Sequence, residues 1–376
     1  MALSFALVVL VLFALEMCHD LSPPKLSMLF VVLAWLPMLV VHELGHALVA
    51  RLLGWDVLAV VIGYGPEIAR FRVGRTLVAL RAIPIEGHVL PTPRSLRLAR
   101  LKCALVYAAG PVAELLVIIA VGVGLGFEVL LTRSTDLTVI ALQSVALVGA
   151  IGVVFNLAPH ALSGAASDGL GILASSGLTQ AALEHSLALP YLSRAEHALD
   201  CDDARAGHAL VKEALAVHPD NVPLSIMLAR CEVATGDMEQ GLARLEALRM
   251  RAGMPEAFET LRLHGAAAAV LESGDASWLE DAAGAARAAV ERSPQQPEYL
   301  VTLGALQLQL RQLQRAEETL QTAYRLAREP LLEDRCLSYL AAVAHERGQV
   351  EQARLLAQAL SARTRCARLL ARVQRC

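Results

Sequence analysis

The stretch LVVHELGHALVARLLG (residues 39–54) sets two histidines and a glutamate inside an otherwise apolar run. His42 and His46 stand four residues apart, so on a helix their imidazoles share one face, one turn apart. That spacing lets both rings bind a single Zn2+ at about 2.0–2.1 Å, with the adjacent Glu43 placed as a general base towards water. The run that holds them extends from Leu26 to Leu53. An ionised residue at mid-membrane costs roughly 2.5–3.5 kcal/mol on insertion scales, so a glutamate there needs a role. Arg51 and Trp55 mark an interface. At the helical rise, His42 lies roughly 13 Å below Arg51. The polar trio is therefore expected inside the bilayer.

Composition points the same way. The 376 residues are 56% hydrophobic, 4% aromatic and 18% charged, more apolar surface than a soluble chain readily hides. Four apolar runs, about 2–17, 26–53, 103–131 and 137–162, are expected to be membrane helices. The first lacks the basic flank and small-residue cleavage site of a signal peptide, so it reads as an uncleaved helix. Residues 51–102 hold nine Lys/Arg against three acids, which places that segment, with an expected hairpin at about 57–90, on the cytosolic side. The net charge of −3 and the absence of a basic tract argue against a nucleic-acid partner. Seven scattered cysteines without C-x-x-C spacing read as mostly reduced thiols.

After about residue 175 the apolar runs give way to charged, Ala/Leu-rich helical patterns. Leu303, Gly304, Ala316, Leu320 and Ala323 occupy the small and apolar positions of a helix-turn-helix unit. Leu340, Ala341, Gly348, Ala353 and Ala357 return in the same phase, as do Leu228, Ala229, Gly236, Gly241 and Leu245. Such a period resembles tetratricopeptide repeats, which stack into a curved surface for a protein or peptide partner. The division expected is 1–175 for the membrane part and 176–376 for a cytosolic repeat domain.

Two histidines leave zinc short of a third protein ligand. Asp168, His160, Glu114 and His88 are the candidates. Asp168 follows the fourth run in FNLAPHALSGAASDGLG (residues 155–171), where Pro and Gly break the helix. Broken backbone at membrane depth is tolerated where protein or a water-filled cavity lines it.

In order, the chain presents His42-Glu43-Leu44-Gly45-His46, Ala109-Gly110-Pro111, Asn156-Leu157-Ala158-Pro159 and Asp168-Gly169, with a G-x-G-P hairpin from Ile62 to Val89 after the first. The series resembles the site-two protease family of intramembrane zinc metalloproteases, over about residues 30–175. The resemblance implies one Zn2+ per chain held by His42, His46 and Asp168, with Glu43 as the base. It also implies a substrate-positioning role for Asn156, a transmembrane protein substrate, and regulated proteolysis in the lipid bilayer of a bacterial inner membrane. Two departures stand out. Gly164 occupies the place where the family usually has the Asp, which keeps His160 as a rival ligand, and Glu114 stands where many members have Asn. The fold expected is thus mainly α: a multi-pass transmembrane helical metalloprotease core with a small cytosolic β-hairpin, then a C-terminal α-solenoid of tetratricopeptide-like repeats. The rival functions are a catalytically inactive membrane-anchored scaffold and a zinc-dependent sensor. The expected strand-pairing edge for a substrate is residues 76–83.

Overall fold

The computed structural model describes residues 23–162, 165–251, 254–364 and 366–373. The helix expected at 2–17 lies outside them. The chain divides into two compact units, one ending at Leu178 and the other beginning at Thr179.

The first unit is built on α1 (Ser27–Leu52), α2 (Ala99–Leu125) and α3 (Leu137–Leu157), which pack against one another. All three are long and apolar enough to cross a membrane. Helix α1 ends where Gly54 takes φ 77°, with its N–H bonded back to the Arg51 carbonyl. The Asp136 carboxylate starts α3 by accepting the N–H groups of Thr138 and Val139 at 2.8 and 3.1 Å. Two expected helices are shorter than the apolar runs. Helix α2 stops before Gly126, which turns to φ 89°, and Val129–Leu131 is a separate 3-10 turn. Helix α3 stops at Leu157 because Pro159 drives Ala158 to extended backbone at ψ 122°.

Between α1 and α2, β1 (Asp56–Val73) and β2 (Thr76–Thr92) form the hairpin, slightly longer than expected. It folds over itself. Val60 is matched to Val89 and also to Val78, while Phe71 is matched to Val78. Residues 77–80 are therefore flanked on both sides, by 69–72 and by 59–62. This overturns the expectation of an open edge for residues 77–80 of the 76–83 segment, while Arg81 and Ile83 pair on one side, with Glu67 and Tyr64. The 87–92 segment pairs only with 56–62 among the described residues.

After α3 a two-residue pairing, β3 (Ala161–Leu162) with β4 (Ala165–Ala166), closes the loop and leads into α4 (Asp168–Ser175). Ser167 ties the ends together. Its hydroxyl donates to the Ala158 carbonyl at 2.7 Å and accepts the N–H groups of His160 and Leu170. A side chain at Gly169 would overlap the Leu157 carbonyl group, so only glycine lets α4 start beneath the last turn of α3.

The second unit is a run of helix pairs: α5 (Gln180–Asp200) with α6 (Ala204–Val217), α7 (Val222–Ala234) with α8 (Met238–Arg249), and α9 (Glu256–Ser273) with α10 (Leu279–Arg292). Then come α11 (Pro297–Gln309) with α12 (Leu313–Leu326), α13 (Pro330–Glu346) with α14 (Val350–Arg363), and α15 (Ala367–Val373). The turn inside each pair carries one residue at positive φ: Asp202, Gly236, Gly274, Arg311 and Gly348. These marks recur every 34–38 residues, so the repeat is visible in the backbone as well as in the sequence. Leu224, Leu306, Leu320 and Leu360 are fully buried between helices. A side chain at Gly304 would stand 2.6 Å from Leu320, and one at Gly241 2.6 Å from the Ala229 carbonyl. Small residues thus set the close approach of paired helices.

The charges of this unit are not all on a solvated face. Arg230 binds Glu196 at 2.9 Å and Glu272 at 2.6 Å, and Arg335 binds Asp200 at 2.8 Å. Burial alone would raise the Glu196 carboxyl, but Arg335 and Arg230 overcome it and hold the group at about 2. Burial and the Arg230 charge push His264 down to about 3, while burial and nearby Glu298 push Glu329 up to about 7. Nor are all cysteines free: Cys201 and Cys366 are bonded, whereas Cys103, Cys231 and Cys336 are free.

Candidate metal centre

Helix α1 buries one stripe: Ala34, Met38, His42, His46 and Ala50, with Glu43 and Ala47 beside it. The i, i+4 spacing that makes the stripe also brings the two imidazoles together, Nε2 to Nε2 at 3.0 Å. Asp168, at the first position of α4, points its carboxylate at both. Oδ2 lies 3.0 Å from His42 Nε2 and Oδ1 lies 3.4 Å from His46 Nε2.

The outer ring nitrogens explain why both Nε2 atoms turn inward. His46 Nδ1 lies 2.6 Å from the Val106 carbonyl of α2, and His42 Nδ1 lies 3.3 Å from Glu114 Oε2 of the same helix. The Val106 carbonyl calls for a proton on His46 Nδ1, and the Glu114 carboxylate facing His42 Nδ1 favours one there, which leaves a lone pair on each Nε2. Two lone pairs and a carboxylate facing one another repel unless a cation lies among them. One donor atom from each of His42, His46 and Asp168 lies within 4.8 Å of the others. Their separations approach the edge of about 3.3 Å expected for a tetrahedral site with Zn–N bonds of about 2.0–2.1 Å. The donor set and its geometry fit zinc.

Glycines make the room. A side chain on Gly110 would stand 2.6 Å from His42 Nε2, so the residue before Pro111 keeps α2 off the imidazoles. One on Gly45 would stand 2.7 Å from the Ala109 carbonyl, so the same two helices meet backbone to backbone. Gly152 of α3 leaves space for Glu114, and Gly87 of β2 lies against Glu43, whose Oε1 would be 2.7 Å from a Cβ there. Glu43 itself is 3% exposed, and its Oε2 has no hydrogen-bond partner among the described residues. The base candidate therefore sits beside the centre, between α1 and the hairpin.

His160 is not part of this cluster. Its Nδ1 turns to the Ala158 carbonyl at 2.8 Å, and its ring meets Phe155 edge-on. His88 is also absent from it. Asn156 is half-buried in the last turn of α3, four residues beyond Gly152, and is not one of the converging donors. Sequence reasoning left Glu114 open between a role and none, yet it lies four residues after Gly110 and so shares that helix face. It missed Gly87 and the Val106 carbonyl, because neither a strand glycine nor a backbone oxygen carries a local signal. Ser167 was legible as a helix cap directly before Asp-Gly.

Comparison with known proteins agrees with this geometry. A Clostridium perfringens protein described as a zinc metalloprotease is 43% identical over 61 residues, which is 16% of this chain and 18% of that protein. A Synechocystis protein with the same description is 40% identical over 52 residues, 14% of each chain. A chloroplast membrane metalloprotease of Arabidopsis thaliana is 45% identical over 51 residues, 14% of this chain and 12% of that one. The matches thus span less than a fifth of these relatives' length. A tetratricopeptide-repeat protein of Thermus thermophilus aligns with 50% of this chain and 97% of its own at 18% identity, with a TM-score of 0.38. The model of peptidase family M50 matches residues 30–331, and the chain belongs to that family.

Proposed function

We propose that the protein is an intramembrane zinc metalloprotease that hydrolyses peptide bonds of membrane-embedded proteins. The observation that carries this is the convergence of His42, His46 and Asp168 beside buried Glu43, on a helix long enough to span a bilayer. His42, His46 and Asp168 would hold one Zn2+ per chain. When bound, zinc supplies a Lewis acid that acidifies water and polarises a peptide carbonyl. Glu43 takes the proton from the attacking water and passes it to the leaving amine. Val106 and Glu114 hold the histidines in register, and Gly110 keeps the space open. Asn156, one turn past Gly152, positions the substrate backbone.

A substrate helix hides its amides in internal hydrogen bonds and must be unwound before attack. The 87–92 segment supports a means: it has one strand neighbour and begins at the glycine packed on Glu43. An extended substrate strand pairing along it would be delivered to the base. Proline at positions 88–90 is expected to block cleavage while leaving zinc bound. Cleavage at the wild-type rate would remove this step.

The positive balance of residues 51–102 supports a cytosolic hairpin and repeat unit, and the Clostridium and Synechocystis relatives support a bacterial cell membrane. The repeat unit would recruit a protein or peptide partner, in the setting of regulated intramembrane proteolysis. Glu43→Gln tests the whole reading in native membranes. The variant should keep its zinc and lose cleavage by about 10²–10⁴-fold. Zinc retained with wild-type processing would sink the protease reading and leave a scaffold or a sensor.

A further inference from the structure

A second group of metal-binding side chains lies in the repeat unit. His197 and Cys201 stand four residues apart at the end of α5, repeating the spacing of His42 and His46. Cys366, directly before α15, completes the group, and α15 packs against α5. One donor atom from each of the three lies within 4.8 Å of the others. His197 Nδ1 is 3.5 Å from Cys366 Sγ, and Nε2 is 3.7 Å from Cys201 Sγ. These are the two different nitrogens of one ring, of which a single cation would take one, together with the two sulfurs.

The two sulfurs are joined in this structure. The imidazole lies against both of them and sets a third donor beside the pair. We propose that, once the Cys201–Cys366 bond is reduced, His197, Cys201 and Cys366 form a binding site for a soft cation, Zn2+ or Cu+. A low-molecular-weight thiol, the reductant of a cytosolic compartment, supplies the two electrons and two protons that convert the disulfide to two thiols, and is itself oxidised to its disulfide. Binding of the cation then releases both thiol protons to solvent. Two thiolates and one imidazole select a softer ion than the histidine–carboxylate centre beside Glu43. The bound ion clamps the end of α5, the first helix of the repeat unit, to the start of α15.

The test uses the full chain in detergent, reduced with a phosphine and titrated with Cd2+. Thiolate-to-cadmium charge transfer absorbs in the ultraviolet, and the centre near Glu43, having no sulfur ligand, contributes nothing to it. With the centre near Glu43 already holding zinc, one equivalent of Cd2+ should saturate the band in the wild-type chain. Cys201→Ser and Cys366→Ser should each abolish it, and His197→Ala should raise the midpoint at least tenfold. No band in the reduced wild-type chain overturns the proposal without recourse to any variant. A band that survives both serine substitutions, or a midpoint unmoved in His197→Ala, overturns it as well.

Discussion

Helix α1 turns Ala34, Met38, His42, His46 and Ala50 inward and leaves Leu33, Leu36, Leu44, Leu48 and Leu52 exposed. Helix α12 turns Ala316, Leu320 and Ala323 inward and leaves Gln314, Arg315, Glu318 and Arg325 exposed. Both obey one packing rule, that small residues face a neighbouring helix. They differ in where the large apolar residues go, and that follows from the solvent. Beside lipid an outward leucine costs nothing, and burial between helices yields no hydrophobic gain, so close contact and polar chemistry occupy the inside. In water the same leucine must be buried, and the polar residues move out.

Four substitutions or conditions would break or sharpen that contrast. The largest stability effect belongs to the aqueous pattern. Leu320→Ala should destabilise the repeat unit by about 2–5 kcal/mol and leave zinc binding unchanged, as read by denaturant unfolding and metal content of the full chain. A loss of zinc would show that the two units are not energetically separate. Next comes the polar interior of the first unit. Glu114→Ala should weaken zinc binding about 10–100-fold in a chelator competition. Glu114→Gln should recover most of this, because an amide oxygen still accepts from His42 Nδ1. Equal losses in both variants would point to the carboxylate's charge rather than its hydrogen bond.

Acid tests the buried charges of the repeat unit. His264 is held at about 3, below its unfolded value of about 6.5, so its contribution is present above 6.5 and declines as pH falls towards 3. Glu196, at about 2, contributes above the unfolded carboxyl value of about 4.3 and loses that as pH falls to 2. Glu329, raised to about 7, acts oppositely: its contribution is full below about 4.3 and is lost as pH rises to 7. Between about 4.3 and 6.5 His264 and Glu329 oppose one another, and below that range only losses remain. Unfolding midpoints measured across pH should stay nearly level above about 4.3 and fall steeply beneath it. His264→Gln should make that fall shallower, and a parallel curve would remove His264 from the account. The smallest effect should come from an outward residue of α1. Leu44→Ala should change stability in bilayers by no more than about 0.5 kcal/mol, whereas a larger loss would mean that this face has a protein partner.

Much of the first unit was legible from local pattern. His42, Glu43 and His46 needed only helical periodicity, and the three described apolar helices needed only length. Helix ends were less legible, because Gly126 and Pro159 stop α2 and α3 inside apolar runs that continue past them. The edge at 77–80 was misread because a strand's pairing on its second side depends on how a long hairpin folds back, which no alternation pattern records. The buried Arg230–Glu196 network was also hidden, since an exposed and a paired charge look alike along a chain.

By itself, then, the sequence determined that a metal-binding pair and a base would share one apolar helix, and that a repeat with small residues in fixed phase would follow. Those properties depend on neighbours within a turn or on a simple period. Only the tertiary structure brought Asp168 rather than His160 to the two histidines, gave Glu114 a place behind His42, set Gly87 against Glu43 and joined Cys201 to Cys366. Each of these depends on how distant segments meet. For Asp168 the deciding contacts are small ones: Ser167 bonded to Ala158, and Gly169 slipping beneath Leu157. Together they bring Asp168 back to the two histidines.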